Sequence, residues 1–232
     1  MRINNCLLCD GMLPPIFELT DIFSFKKITD KFVCPTCWRQ FTYLSNQPTC
    51  NYCGRLMATR TVCTDCQKWI IRQDNFINTA IFAYDNSMQL FMKQYKFNGD
   101  YRLRLIFSAF MQAFINQRYK VENLVIVPVP VTETTLLQRG FNQVCGLLSE
   151  VKYMDCLTMK AISKVPQSMK TRQDRLLTPQ PFELRPNLYK NLTGKNILIV
   201  DDIYTTGVTI RHAAKALSIV QPSKIMGLTL AR

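Results

Sequence analysis

A single histidine, no long apolar run and no glycine-rich nucleotide loop are what this chain of 232 residues conspicuously has too little of. Each absence removes a class of function. No apolar stretch approaches the roughly 18 residues that a membrane helix needs. The opening Met1-Arg2-Ile3-Asn4-Asn5 lacks the apolar core of a secretory signal, so a cytoplasmic protein without membrane insertion is expected. Neither a Walker A loop nor GxGxxG occurs, which argues against the generic nucleotide folds. The lone His212 falls on a helical stretch whose inward face is Ile210, Ala213, Ala214 and Leu217. That pattern turns His212 outward beside Arg211 and Lys215 and leaves general acid–base chemistry without an obvious agent. Low-complexity tracts are absent too, and the cysteine pairs are the only internal repeat.

What is present begins with cysteine. Of ten cysteines, eight form the CxxC pairs Cys6/Cys9, Cys34/Cys37, Cys50/Cys53 and Cys63/Cys66, separated by 24, 12 and 9 residues. Without an export signal, metal ligation is a better reading than a disulfide framework. One CxxC turn presents two thiolates, and two such turns close a tetrahedral site, so two zinc ions per chain are expected. The four pairs can be grouped in three ways. Gly54 directly follows Cys53, and Gly11 comes one residue later than that after Cys9, which suits one tight knuckle per site. A sequential and a nested grouping both satisfy this. The sequential one is favoured because the Cys50 to Cys66 loop closes at least entropic cost.

Eight cysteine ligands with no nearby histidine describe closed, structural sites. The alternative role is a zinc ribbon offering a nucleic-acid or partner surface, with Arg55, Arg60, Lys68, Trp69 and Arg72 as its candidates. Cys145 and Cys156 lie outside any pair and read as small core residues.

The formal net charge of +13 is unevenly spread. Residues 1–75 hold nine Lys and Arg against six Asp and Glu, whereas residues 76–232 hold twenty against ten. Polyanions are therefore expected at the second part. The plainer alternative is a generally basic, solvated surface.

Two domains are expected, a cysteine-rich one over residues 1–72 and a larger one over residues 73–232. Phe76 to Tyr84 reads as a strand, with a helix following through Leu90, Phe91 and Gln94. Lys96 to Asp100 reads as a turn. Leu103, Ile106, Phe107, Phe110, Met111 and Phe114 then repeat at the spacing of a buried helix face. Leu124 to Val127 and Asn196 to Val200 are continuous apolar runs of the kind that form strands buried on both faces, the first stopped by Pro128-Val129-Pro130. Each precedes a helical stretch, Gln143 to Val151 and Ile210 to Val220. Alternating strand and helix imply an α/β domain with a mainly parallel sheet, whose ligands bind at the carboxyl ends of the strands. The segments after Val127 and Val200 are thereby singled out.

The second of these is the most informative in the chain. The strand Ile197-Leu198-Ile199-Val200 ends in Asp201-Asp202, and Ile203-Tyr204-Thr205-Thr206-Gly207-Val208-Thr209 leads into a helix. Backbone N–H groups of Thr205 to Thr209, including those of Thr206, Gly207 and Val208, can converge on a phosphate with help from the helix dipole. The threonine hydroxyls add donors and Gly207 allows close approach. Two adjacent carboxylates suit the vicinal hydroxyls of a ribose. The predicted ligand is a ribose 5-phosphate group.

This segment resembles the type I phosphoribosyltransferase signature of two acidic residues followed by a TTG-containing loop. Taken with the four cysteine pairs, Val127-Pro128-Val129-Pro130 and Arg139-Gly140-Phe141-Asn142-Gln143, nearly the whole chain resembles the ComF family. The resemblance implies a type I phosphoribosyltransferase-like parallel sheet, with Pro128, Val129 and Pro130 in the pyrophosphate loop and Arg139 in a flap. It implies a role in natural competence, handling incoming single-stranded DNA at the inner face of the membrane with a ComFA-like ATPase as partner. Mg²⁺ would assist pyrophosphate departure in any transfer reaction. The family's flap stretch is matched only loosely by Lys170 to Arg175 and Phe182 to Leu184. Residues 160–190 hold seven basic and two acidic side chains and can act electrostatically or as a solvated loop.

Three functions compete at this level. One is a phosphoribosyl-binding component of DNA uptake; a second is an active transferase in nucleobase salvage; a third is a zinc-ribbon nucleic-acid binder on a scaffold. The intact acidic pair and loop argue against the third. No stretch of sequence evidently supplies a hood to recognise a base.

Overall fold

A computed structural model describes residues 4–13, 32–160 and 180–232. The basic stretch from Lys170 to Arg175 lies outside the described residues. At the centre is a four-stranded sheet of β1 (Asn78–Phe82), β2 (Leu124–Pro128), β5 (Asn196–Ile203) and β6 (Lys224–Ala231), in the order β1-β6-β5-β2. Every neighbouring pair is parallel. The expected strands are thus present, and β6, which the sequence pattern does not announce, joins them. β3 (Leu157–Met159) and β4 (Phe182–Leu184) form a separate antiparallel pair.

Alternation along β5 divides the core in two. Leu198 and Val200 face a cluster with Phe82, Phe91, Phe107 and Met111, while Ile197 and Ile199 face one with Ile210, Ala213 and Leu217. All four β5 residues are fully buried, as their unbroken apolar run requires. The first cluster is roofed by α3 (Asn86–Lys96), α4 (Arg104–Arg118) and α6 (Gln143–Leu147), the second by α8 (Val208–Leu217). α6 is shorter than the predicted Gln143 to Val151 helix. The shorter helices are α1 (Pro35–Trp38), α2 (Thr64–Ile71), α5 (Glu133–Arg139) and α7 (Tyr189–Leu192). No described helix is long and apolar enough to cross a membrane.

The cysteine segment is packed into both halves of the core. Phe41 belongs to the cluster of Phe82 and Phe107, with its ring 5.1 Å from that of Phe107. Cys50, Cys53, Cys63 and Cys66 belong to the cluster of Ile199 and Ile210. Backbone bonds run along the free edge of β1, from Leu44 N–H to the Ile81 carbonyl at 2.9 Å and from Ala83 N–H to the Thr42 carbonyl at 2.9 Å. Edge pairing and shared apolar surface, in addition to the cysteines, therefore hold this segment in place.

Candidate functional site

The cysteines converge in two groups, Cys6, Cys9, Cys34 and Cys37, and Cys50, Cys53, Cys63 and Cys66, with the sulfurs of each group within 4.8 Å of one another. This is the sequential grouping. The two are built alike. Cys34 N–H donates to Cys6 Sγ at 3.3 Å and Cys63 N–H donates to Cys50 Sγ at 3.4 Å, while Cys34 and Cys63 each stand at the start of a helix. Gly54 adopts the positive φ its position demands, 74°, and an added Cβ would meet the backbone of Ala80 at 2.7 Å. In the first group that role falls to Asp10, at φ 58°, rather than to Gly11; aspartate tolerates this region better than most residues. Four convergent sulfurs with amide donors fit a metal ion such as zinc, which would supply cross-linking here and leave no open coordination position. The second group is fully buried, whereas Cys9 of the first is exposed.

The second site lies at the carboxyl ends of β2 and β5. A cleft of about 870 Å³ is lined there by Val129, Pro130, Arg139, Asp201, Asp202, Thr205 and Thr209, among others. The register explains the convergence, since Pro128 pairs with Val200 and Val129 N–H donates to the Val200 carbonyl at 2.9 Å. The turn after β2 is held to the next helix by Asn142, whose amide donates to the Val129 carbonyl at 3.1 Å while its side-chain oxygen caps α6. Pro128 itself is buried in the strand end beneath the cleft. Thr206, Gly207 and Val208 are buried in the loop, with Thr205 and Thr209 facing the cleft.

Asp201 and Asp202 are 8% and 4% exposed. Burial, and then the Asp202 charge, push the Asp201 pKa well above the usual carboxylate range, while Lys96 pulls it back. Asp202 Oδ1 accepts from Ile203 N–H at 2.6 Å and its Oδ2 meets the Lys96 ammonium at 2.6 Å. Sequence reasoning missed Lys96, which it placed in a turn; it is the last residue of α3, where a basic side chain also suits the helix dipole. Arg139 Nε donates to the Lys96 carbonyl at 2.9 Å, and its Nη1 donates to Gln143 Oε1. Lys96, Arg139 and the acidic pair thus form one network. Among the described residues the only groups of three or more metal-ligand side chains are the two cysteine sets, so the acidic pair does not offer Mg²⁺ a protein cage.

Around the same cleft α3 presents Asn86, Gln89, Leu90 and Lys93, with Phe97 just beyond it. Leu90 is 64% and Phe97 69% exposed. These side chains form a wall of the cleft that sequence reading did not find, because the helical positions among them lie on the outer side of an amphipathic helix.

His212 is half-buried, and burial lowers its pKa. Its expected companion Arg211 is not outward at all. It is 5% exposed, pairs with Asp74 at 3.2 Å and stands 4.4 Å from the centre of the Trp69 ring. A long side chain can leave the face that helical spacing assigns when acceptors wait beside it. Of the residues suggested for a zinc-ribbon surface, Arg55 pairs with Asp65 and Trp69 donates to the Thr206 carbonyl at 3.2 Å, whereas Arg60, Lys68 and Arg72 are exposed. Cys156 is fully buried and Cys145 partly so.

Comparison with known proteins agrees with this construction. The phosphoribosyl transferase domain model matches residues 103–232. Competence protein ComFC of Streptococcus pneumoniae is 31% identical over 230 residues, covering 98% of this chain and 100% of that protein. Competence protein ComFC of Bacillus subtilis is 30% identical over 222 residues, covering 91% of this chain and 88% of its own. Competence protein F of Haemophilus influenzae is 25% identical over 214 residues, 86% of this chain and 90% of its own. A sheet ending in an acidic pair and a threonine-glycine loop, a cysteine cluster built into its core, and relatives matched over most of their length place this chain in the ComFC family of competence proteins, with a phosphoribosyl transferase domain.

Proposed function

We propose that the cleft binds a phosphoribosyl group and that the protein assists the uptake of single-stranded DNA in natural competence, in the cytoplasm at the inner face of the membrane, with a ComFA-like ATPase as partner. The observation that carries this reading is the meeting of the acidic pair and the Thr205 to Thr209 loop in one cleft that Lys93, Lys96 and Arg139 also line. Asp201 and Asp202 would accept bonds from the ribose hydroxyls. For Asp202 this requires sharing or displacing Lys96, whose freed ammonium is then beside any further phosphate. The loop amides would take the 5-phosphate at the start of α8. Val129, Pro130 and Arg139 flank the position of a pyrophosphate, whose own oxygens, rather than a cluster of protein side chains, would hold Mg²⁺.

Thermal shift tests the pocket. Ribose 5-phosphate or phosphoribosyl pyrophosphate at ~100 times its Kd should stabilise the protein by about 2.7 kcal/mol. Asp202→Ala and Thr206→Val should abolish the shift; an unchanged melting curve of the wild type at millimolar ligand counts against the site. Single-stranded DNA should bind with a salt dependence of about −0.7 in log–log slope per contacted phosphate, driven by the twenty Lys and Arg of residues 76–232. Loss of transformation with normal growth on replacing Asp201 and Asp202 supports the competence role.

A second reading is favoured by the α3 wall. A cleft of about 870 Å³ with exposed Leu90 and Phe97 has room for a base beyond the ribose, so an active transferase using phosphoribosyl pyrophosphate is the alternative. Collapse of nucleobase salvage, with transformation intact, in the same aspartate variants would establish it.

A further inference from the structure

The loop between β5 and α8 has a second side, away from the cleft, and its carbonyls are taken there one after another. Arg232 Nη1 donates to the Tyr204 carbonyl at 3.1 Å and to the Thr205 carbonyl at 2.6 Å. Trp69 Nε1 donates to the Thr206 carbonyl at 3.2 Å, and Arg211 Nη1 to the Gly207 carbonyl at 3.4 Å. Four consecutive carbonyls therefore receive side-chain donors. In a trans peptide the N–H points opposite to the carbonyl, so holding these carbonyls also fixes the directions of the amides of Thr205, Thr206, Gly207 and Val208. Successive amides around a residue in the left-handed region, here Gly207 at φ 79°, make an anion-receiving concavity.

Two of the donors, Trp69 and Arg232, are themselves anchored to the second cysteine cluster, and Arg211 leans on Trp69. Trp69 belongs to α2, the helix that opens at Cys63 and contains Cys66. Arg232 Nε donates to Cys53 Sγ at 3.5 Å, and its Nη2 lies 3.5 Å from Asp65 Oδ2 on the same helix. Arg211 is held by Asp74, by the Tyr204 hydroxyl and by the Trp69 ring. The Arg232 side chain is 8% exposed and none of the three residues lines the cleft, so they are placed to shape the loop and not to touch a ligand.

We infer that Trp69, Arg211 and Arg232 are positioning residues: they hold the Tyr204–Gly207 backbone in its phosphate-receiving shape, with the Cys50–Cys66 cluster as the frame they brace against. The inference rests on the proposed phosphate role of the loop, but its structural half can be read separately. The cluster is thus a part of the binding site at one remove, and a zinc ion held there would have a task beyond holding residues 50–66 together.

The test uses the full-length, metal-loaded protein with ribose 5-phosphate as probe, and three variants: Arg232→Gln, Trp69→Phe and, as control, Arg55→Gln, which loses a partner of Asp65 that does not reach the loop. Metal content, probe affinity and backbone amide exchange are measured for each. The expected result is two zinc ions throughout, affinity weakened at least about tenfold in the first two variants only, and exchange accelerated over residues 204–209 in those variants while the strands keep wild-type protection. Wild-type affinity and exchange in Arg232→Gln and Trp69→Phe would overturn the inference, as would equal loss in Arg55→Gln. Should Arg232→Gln fail to fold, Arg232→Lys, which keeps the charge but not the fork, takes its place under the same criteria. If the wild type does not bind the probe, the phosphoribosyl reading has failed, and amide exchange alone then decides whether these residues hold the loop.

Discussion

Asp201 and Asp202 are adjacent on β5 yet meet different surroundings. Asp202 is compensated by Lys96 at 2.6 Å, whereas Asp201 has its pKa raised by burial and then by its neighbour's charge. A folded-state pKa above the unfolded one means that the native protein keeps a proton which the unfolded chain releases. Stability then falls as pH rises from the ordinary aspartate value of about 3.9 toward the raised one. Asp201→Asn removes that pH dependence and keeps an oxygen to accept Asp202 N–H. Its melting temperature should therefore match the wild type near pH 4 and rise above it toward neutral pH, while ribose 5-phosphate no longer binds. A gap that stays constant with pH would show that Asp201 is not the protonated partner.

Among the elements, α3 does most to turn the strand ends into a site. Asp85 starts it, accepting from Met88 N–H at 3.0 Å and from Thr42 N–H of the cysteine segment at 3.3 Å. The same helix then buries Met88, Phe91, Met92 and Tyr95 and delivers Lys96 to the acidic pair. Asp85→Ala should cost about 1 kcal/mol through the lost cap, and somewhat more for the Thr42 amide left without its acceptor. A urea titration reads this as a lower midpoint at unchanged slope. The periodicity of α3 and α4 was legible because their apolar faces are continuous over several turns. β6 was not legible: Gly227 interrupts its apolar run, and its place between β1 and β5 depends on pairing with strands far away in sequence. The end of α3 was also misread, since Lys96-Phe97-Asn98-Gly99-Asp100 does contain a turn but Lys96 still belongs to the helix.

In the whole molecule, residues 1–72 and 73–232 share apolar surface, with Phe41 in one half of the core and the second cysteine cluster in the other. Elemental analysis should return two zinc ions per chain. Because metal binding to such clusters is coupled to folding, Cys50→Ser should lose one zinc and melt at a lower temperature. The shared core further implies that wild-type protein melts in one transition, seen alike by tryptophan fluorescence and far-UV circular dichroism. Two resolved transitions would show that residues 1–72 unfold as a domain of their own.

By itself the sequence determined the chemistry that fits within a few consecutive residues: four thiolate pairs, two strands buried on both faces, an acidic pair, and a threonine-glycine loop at a helix start. Such features are readable because their geometry is set by local backbone and spacing. Only the tertiary structure decided which cysteines share a site, that Lys96 neutralises Asp202, that α3 walls the cleft, and that Arg211 turns inward. It alone also joined Trp69 to Thr206 across 137 positions of sequence and Arg232 to Asp65 across 167. The physical reason is common to these cases: a buried charge or carbonyl is satisfied by whichever donor packing brings to it, and neither spacing nor periodicity in the chain records that partner.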